Sequence, residues 1–387
     1  MTRRAILTAP AAGDPFARVA GMTVLLRQLL SLQDAGITEV VVEGLAADRL
    51  PADQRLTIGV RAAASASERT GAMLTARLGL VCQRMLPRRL VAAGYTGDLE
   101  SAALEDDEFI IAVTDPAAGR AAEERLLQSL LKATDGLISR TINRRISLRV
   151  TQLLLDTSLT PNQMTLIAAL FGAAAVLVVA LGGIPWIIPG ALLLQMQSIL
   201  DGCDGEISRL KYIRSRLGEW LDQILDDLVN VGFFAATGWA LYRGGEPLML
   251  PLTIAGTAMH MVYQAALYIA LITRGGGSGS VASIRWPGQL DPHAPKPEVA
   301  KGGIFRLVKE TLEMAGRRDF FTFFYLPAAL VGLPELAVIL CGLIFILYGL
   351  ASSLQWLLLG GPRPAPSTRQ GRRSSTTTGD PASGRPL

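Results

Sequence analysis

Charge is scarce in this chain. Asp, Glu, Lys and Arg make up 18% of its 387 residues, against 50% hydrophobic, whereas an ordinary soluble domain carries about 25% charged residues. A water-exposed globule of this length could not cover itself with so few charges, so part of the chain must use lipid as its solvent. Disorder throughout and a purely soluble enzyme are both excluded. Nor is either sign in real excess: 37 Lys and Arg against 33 Asp and Glu leave +4, too little to argue for nucleic acid, and no nucleic-acid partner is expected. The three cysteines, Cys82, Cys203 and Cys341, lie far apart with no CxxC pair, which argues against a disulfide framework and a thiolate zinc site. Of the two histidines, His260 reads as a packed polar residue of a membrane helix and His293 as a loop residue. The opening MTRRAILTAPAAGDPF has too short an apolar run for a secretory leader, so the N-terminus is expected to stay in the cytosol.

What is present falls into zones. Residues 1–125 alternate short apolar runs (4–7, 39–42, 56–60, 109–113) with a helical stretch at 24–35, the pattern of a small α/β unit. In residues 126–159, leucines and isoleucines recur at helical spacing among Arg140, Arg144, Arg145 and Arg149. That fits an amphipathic helix lying on a membrane surface with its arginines at the phosphates. Residues 160–360 hold six long apolar stretches, 164–181, 184–200, 228–241, 248–272, 320–333 and 336–359. Several approach the roughly 20 residues that span a bilayer. The expected fold is thus an α-helical integral membrane protein of the cytoplasmic membrane, with six transmembrane helices and a small N-terminal cytosolic α/β domain. Basic residues collect between stretches two and three and between four and five, while the opposite connections hold one, which puts both termini and the acidic segment on the cytosolic side. The Gly-rich and Pro-rich insert 275–297 reads as a flexible loop, and the tail 361–387, rich in Pro, Ser, Thr, Gly and Arg, as disordered.

Asp201, Asp204, Asp222 and Asp226 sit beside or inside apolar helices, where an ionised carboxylate costs roughly 2.5–3.5 kcal/mol at the bilayer centre. At about 100° per residue, Asp201, Asp204, Gly205 and Ser208 form one stripe, and Asp222 and Asp226 share a face of the next helix. If the two helices face each other, four carboxylates converge. Hard oxygen ligands at that density suit Mg²⁺ or Mn²⁺, with substrate phosphates completing the shell. Gly205 and Gly218 would let a ligand or a second helix approach the backbone, and Arg209, at the edge of the stripe, offers a fork of donors to a phosphate.

Asp201-Gly-Cys-Asp204-Gly205-Glu-Ile-Ser208-Arg209, eight residues, then Gly218-Glu-Trp-Leu-Asp222-Gln-Ile-Leu-Asp226 resembles the signature of the CDP-alcohol phosphotransferases, D-x2-D-G-x2-A-R-x8-G-x3-D-x3-D. Ser208 in place of alanine is the one departure, and it adds a hydroxyl beside the expected cytidine pocket. The resemblance extends over about 126–359, including Thr160-Pro161-Asn162. It implies six membrane helices, a cytosol-facing site, a homodimer and two divalent ions. It further implies that Asp201, Asp204 and Asp222 hold the metals, that Asp226 contributes to them and acts as general base, and that Gly205, Ser208, Arg209 and Gly218 line the nucleotide pocket. The implied partners are a CDP-alcohol donor, an alcohol or phospho-alcohol acceptor, and membrane lipid. The metals would bridge the pyrophosphate while the acceptor hydroxyl attacks the β-phosphorus and CMP leaves. Donors of the CDP-diacylglycerol and the CDP-inositol type both stay open.

The segment from Lys132 to Arg145 looks like the junction in two-domain family members that carry a nucleotidyltransferase-like unit, some of which make CDP-inositol and couple it to inositol phosphate. The chemical residues of such a unit are missing here. The loop Ala9-Pro10-Ala11-Ala12-Gly13-Asp14 has no lysine or arginine, and Val81-Cys82-Gln83 stands where the family places a metal-binding Asp. Residues 1–125 are therefore expected to be an inactive relative. Two other function classes compete, a cation or proton transporter and a non-catalytic membrane scaffold. The clustering of the aspartates at one end speaks against a transport path, and a scaffold would not need all four. Arg317-Arg318-Asp319 before the fifth stretch fits an anion-binding role and an anchoring role equally.

Overall fold

The computed structural model describes residues 3–9, 11–63, 72–131, 135–287 and 317–365. Lys132, His293, the basic residues at 296, 301, 306 and 309, and the tail from 366 lie outside the described residues, so the expectations that fall on them are not met or refused here.

The N-terminal part is built on β1 (Arg4–Thr8), β2 (Arg18–Val19), β3 (Met22–Thr23), α1 (Val24–Asp34), β4 (Glu39–Glu43), β5 (Gly59–Ala63), β6 (Leu74–Arg77), β7 (Leu80–Cys82), α2 (Leu86–Ala92), β8 (Gly97–Asp98), β9 (Ile110–Ala112) and α3 (Pro116–Gln128). Five strands form one sheet in the order β5-β4-β1-β6-β8, every neighbouring pair parallel. Such sheets bury both faces, which is why β1 and β4 read as unbroken apolar runs rather than alternating ones. The apolar run at 56–60 gives its strand slightly later, as β5, because Gly59 is the first residue to pair, opposite Glu39. Helix α1 is buried on nearly every side, Arg27 and Gln28 included, because it is covered by its own sheet on one face and by the helical part of the chain on another.

Helix α4 (Arg144–Leu154) follows a five-residue π-turn at Ser139–Asn143. Its inward face is polar: Asn143, Ser147 and Thr151 are buried, while Arg145, Ile146, Arg149 and Leu153 face outward. The surface-helix expectation needs correcting at Arg144, which turns inward and pairs with Glu206 at 2.8 Å.

The apolar zone forms α5 (Pro161–Gly182), α6 (Ile187–Leu210), α7 (Arg216–Arg243), α8 (Met249–Arg274), α9 (Arg318–Leu330) and α10 (Pro334–Leu359). Thr160 and Gln163 close a capping box at the start of α5, with Pro161 at its first position, where a missing N–H costs nothing. Among the described residues, four helices, α5, α7, α8 and α10, are long and apolar enough to cross a membrane. Helix α6, with Gln195, Gln197 and the acidic residues from Asp201 onward, is too polar on average to qualify. Helix α9, at 13 residues, spans only about 20 Å on its own. Packing is close: a Cβ on Gly172 would lie 2.4 Å from Val229, drawing α5 onto α7. The shared core holds Val179, Leu194, Phe233, Phe234 and Phe345, while leucines such as Leu170, Leu177 and Leu181 stand exposed around the outside. The insert is not featureless where it is described, since Ile284–Arg285 pairs with Arg363–Pro364 at the head of the tail.

Candidate active site

The site lies where the second half of α6 meets the first half of α7. Asp201, Asp204 and Asp222 place one carboxylate oxygen each within 4.8 Å of one another. The i, i+3 spacing sets two of them on one face of α6, and the third arrives from the facing helix. Two of the three are fixed by a neighbour: the Thr165 hydroxyl on α5 donates a short hydrogen bond to Asp204, and Arg318 at the start of α9 pairs with Asp201 at 2.7 Å. Carboxylates this close repel one another strongly unless a cation sits among them. Three hard oxygen donors converging from two helices fit a divalent ion of the Mg²⁺ type.

Asp226, one turn further along α7, is not part of that trio. It is buried, forms an ion pair with Arg318 and accepts a hydrogen bond of 2.9 Å from the Gln197 amide. Arg318 therefore bridges Asp201 and Asp226.

Gly205, Ser208 and Gly218 line a cavity of about 140 Å³ together with Asn162, Asp204 and Asp222. Gly218 leaves room there for Asn162, whose amide oxygen would stand 2.5 Å from a Cβ and would have to move aside. Its N–H donates to the Ser215 hydroxyl, which caps α7. The Ser208 hydroxyl is committed to the Ile213 carbonyl at 2.5 Å, so the extra oxygen relative to alanine ties the α6–α7 turn. Arg209 does not line this cavity. Its guanidinium lies over Gly205, with Nε and Nη2 buried and unpartnered among the described residues. A second cavity of about 100 Å³ opens on the other flank of α6, lined by Asn143, Arg144, Asp201, Arg318 and Asp319 among others.

Residues that sequence reasoning passed over are Thr165, Gln197 and Glu206. Glu206 is wholly buried and accepts from Arg144, from Ser147 at 2.6 Å and from Thr151 at 2.6 Å. Its signal was available, since Ser147 and Thr151 are four apart and so share the face of α4 that carries Arg144. Arg318 was noticed, but only the fold shows that it reaches the aspartates.

Residues 158–287 match the CDP-alcohol phosphatidyltransferase family. The matched segment runs from the approach to α5 through α8 and contains every aspartate of the site. Proteins similar to this chain include ones named bifunctional IPC transferase and DIPP synthase. The one from Thermococcus kodakarensis is 40% identical over 35% of this chain and 30% of its own length. Those from Aquifex aeolicus and Archaeoglobus fulgidus are 38% and 41% identical, over 33% and 34% of this chain. The similarity thus spans less than a third of the length of these relatives.

Proposed function

We propose that the protein is a membrane enzyme that transfers a phospho-alcohol or phosphatidyl group from a CDP-alcohol to an acceptor hydroxyl and releases CMP. The three-carboxylate cluster beside a cavity that contains the signature glycines carries this reading. A transporter or a scaffold is not favoured, because neither needs a nucleotide-family signature gathered at one end of the bundle.

Asp201, Asp204 and Asp222 would hold Mg²⁺ or Mn²⁺, two ions by the family resemblance, with Asp226 close by. Bound there, the ions would offset charge on the pyrophosphate and on the departing CMP. The cytidine end would lie in the cavity between Asn162, Gly205 and Gly218, with Ser208 shaping the turn and the N-terminus of α7 directed at phosphate. Arg209 has unused donors near Gly205 with which to meet the nucleotide. The cavity lined by Arg144 and Arg318 suits the anionic group of a phospho-alcohol acceptor. In the transfer, the acceptor oxygen bonds to the β-phosphorus, the bond from that phosphorus to the bridging oxygen breaks, and CMP departs with the electron pair. Asp226 takes the hydroxyl proton, once substrate phosphate has drawn Arg318 from its carboxylate. Six membrane crossings, cytosolic termini and active site, and a homodimer complete the proposal.

CMP release from a panel of CDP-alcohols, with and without candidate acceptors, tests it. EDTA should stop release and Mg²⁺ restore it. Asp201→Asn, Asp204→Asn or Asp222→Asn should each lower turnover by more than about 100-fold, the upper end of what even an outer partner of a metal ligand costs. Full activity in any of the three would refute the site.

A further inference from the structure

Helix α6 ends directly after Ser208 and Arg209, and the last carbonyls of a helix have no partner within it. The Ile207 carbonyl accepts from Lys211 N–H and the Ser208 carbonyl from Ile213 N–H. The next three are taken by arginines of the N-terminal domain. Arg84 donates to Arg209 O at 2.7 Å, Arg27 to Leu210 O at 3.0 Å and Arg55 to Lys211 O at 2.6 Å. Arg27 is 3% exposed in the middle of α1; Arg84 is fixed by Asp34 at 2.5 Å, and Arg55 by Asp53 at 2.6 Å.

The following residue, Tyr212, has φ of +54°, a conformation that L side chains seldom adopt outside enforced turns. Its ring packs with Met22, Leu26 and Leu30 of the N-terminal domain. The guanidinium carbons of Arg84 and Arg27 lie 4.4 and 5.9 Å from the ring centroid. Three hydrogen bonds and a socketed aromatic side chain thus hold a single turn of chain, the one between the two halves of the signature. Guanidinium groups at a helix C-terminus also offset its partial negative charge, which otherwise disfavours an anionic ligand bound nearby.

We propose that the N-terminal domain serves as a clamp on the catalytic helix: Arg27, Arg55, Arg84 and the Tyr212 socket are positioning elements that set the nucleotide pocket for its anionic ligand. None of them touches the reacting atoms. The inference rests on the transferase reading above and predicts that the clamp governs nucleotide affinity.

The test uses the full chain in nanodiscs, with CDP and Mg²⁺ as the probe in titration calorimetry. Arg84→Ala and Tyr212→Ala should raise the CDP dissociation constant by about tenfold or more, the worth of one charge-assisted hydrogen bond. Amide exchange should quicken in residues 205–214 and stay unchanged in α8. Arg84→Lys and Tyr212→Phe, which keep a donor and a ring, should restore most of the affinity, an effect that impaired folding alone would not show. Unaltered affinity and exchange in the Ala variants would overturn the clamp while leaving the transferase reading intact. A wild-type protein that binds no CDP, or whose binding is indifferent to Asp222→Asn, would overturn the transferase reading and the clamp with it.

Discussion

A hydroxyl such as that of Thr165 looks incidental in an apolar helix, yet its hydrogen bond to Asp204 fixes which oxygens that carboxylate presents to its neighbours. Outer partners of this kind typically change metal affinity by about 10–100-fold. Thr165→Val, which keeps the shape and removes the donor, should therefore raise the Mg²⁺ concentration for half-maximal CMP release by about that factor, with the apparent donor affinity at saturating Mg²⁺ little changed. Asp226 is held in a different way, by Arg318 and Gln197. If it accepts the acceptor proton, Asp226→Asn should abolish transfer while CDP-alcohol still binds, as equilibrium binding of a labelled donor would report. Retained turnover would remove it from that role.

Helices set what could be read in advance. Asp201, Asp204 and Asp222 were legible because 3.6 residues per turn fixes their faces once the two helices are known to pack. Arg318 was not, since more than 90 residues separate it from Asp222 and no periodicity links them. The same holds for Arg27, Arg55 and Arg84, whose partners are backbone carbonyls and so leave no residue-type signal at all. The inward turn of Arg144 was not legible for a simpler reason: an arginine among isoleucines satisfies a lipid headgroup and a buried glutamate equally well. In the fold Arg144 meets Glu206, a carboxylate with 0% side-chain exposure. Removing one partner of a buried pair leaves an uncompensated charge, at a cost of about 3–5 kcal/mol. Arg144→Ala should lower the unfolding midpoint in detergent markedly, and combining it with Glu206→Gln should recover much of the loss. A single variant as stable as the wild type would show that α4 is not tied to α6 by this pair.

At the scale of the whole molecule, the open quantity is how many helices cross the bilayer, and the connections between them decide it. Among the described residues four helices qualify by length and hydropathy, and α6 and α9 pack among them. If all six cross, the turns at Pro185, Glu246 and Val331 lie on one face, and Ser158, before α5, lies on the other. If α6 and α9 fail to cross, Pro185 and Val331 stay together but Glu246 moves to the opposite face. The three native cysteines are buried, so single cysteines introduced at these exposed positions can be read against a low background. With a membrane-impermeant maleimide on intact cells, Pro185→Cys, Glu246→Cys and Val331→Cys should label, and Ser158→Cys should label only after permeabilisation. Labelling of the 185 and 331 sites without the 246 site would leave four crossings. It would also place the α6–α7 turn, and the aspartates with it, on the face opposite the basic segment that precedes α5, where the N-terminal arginines could not reach the end of α6.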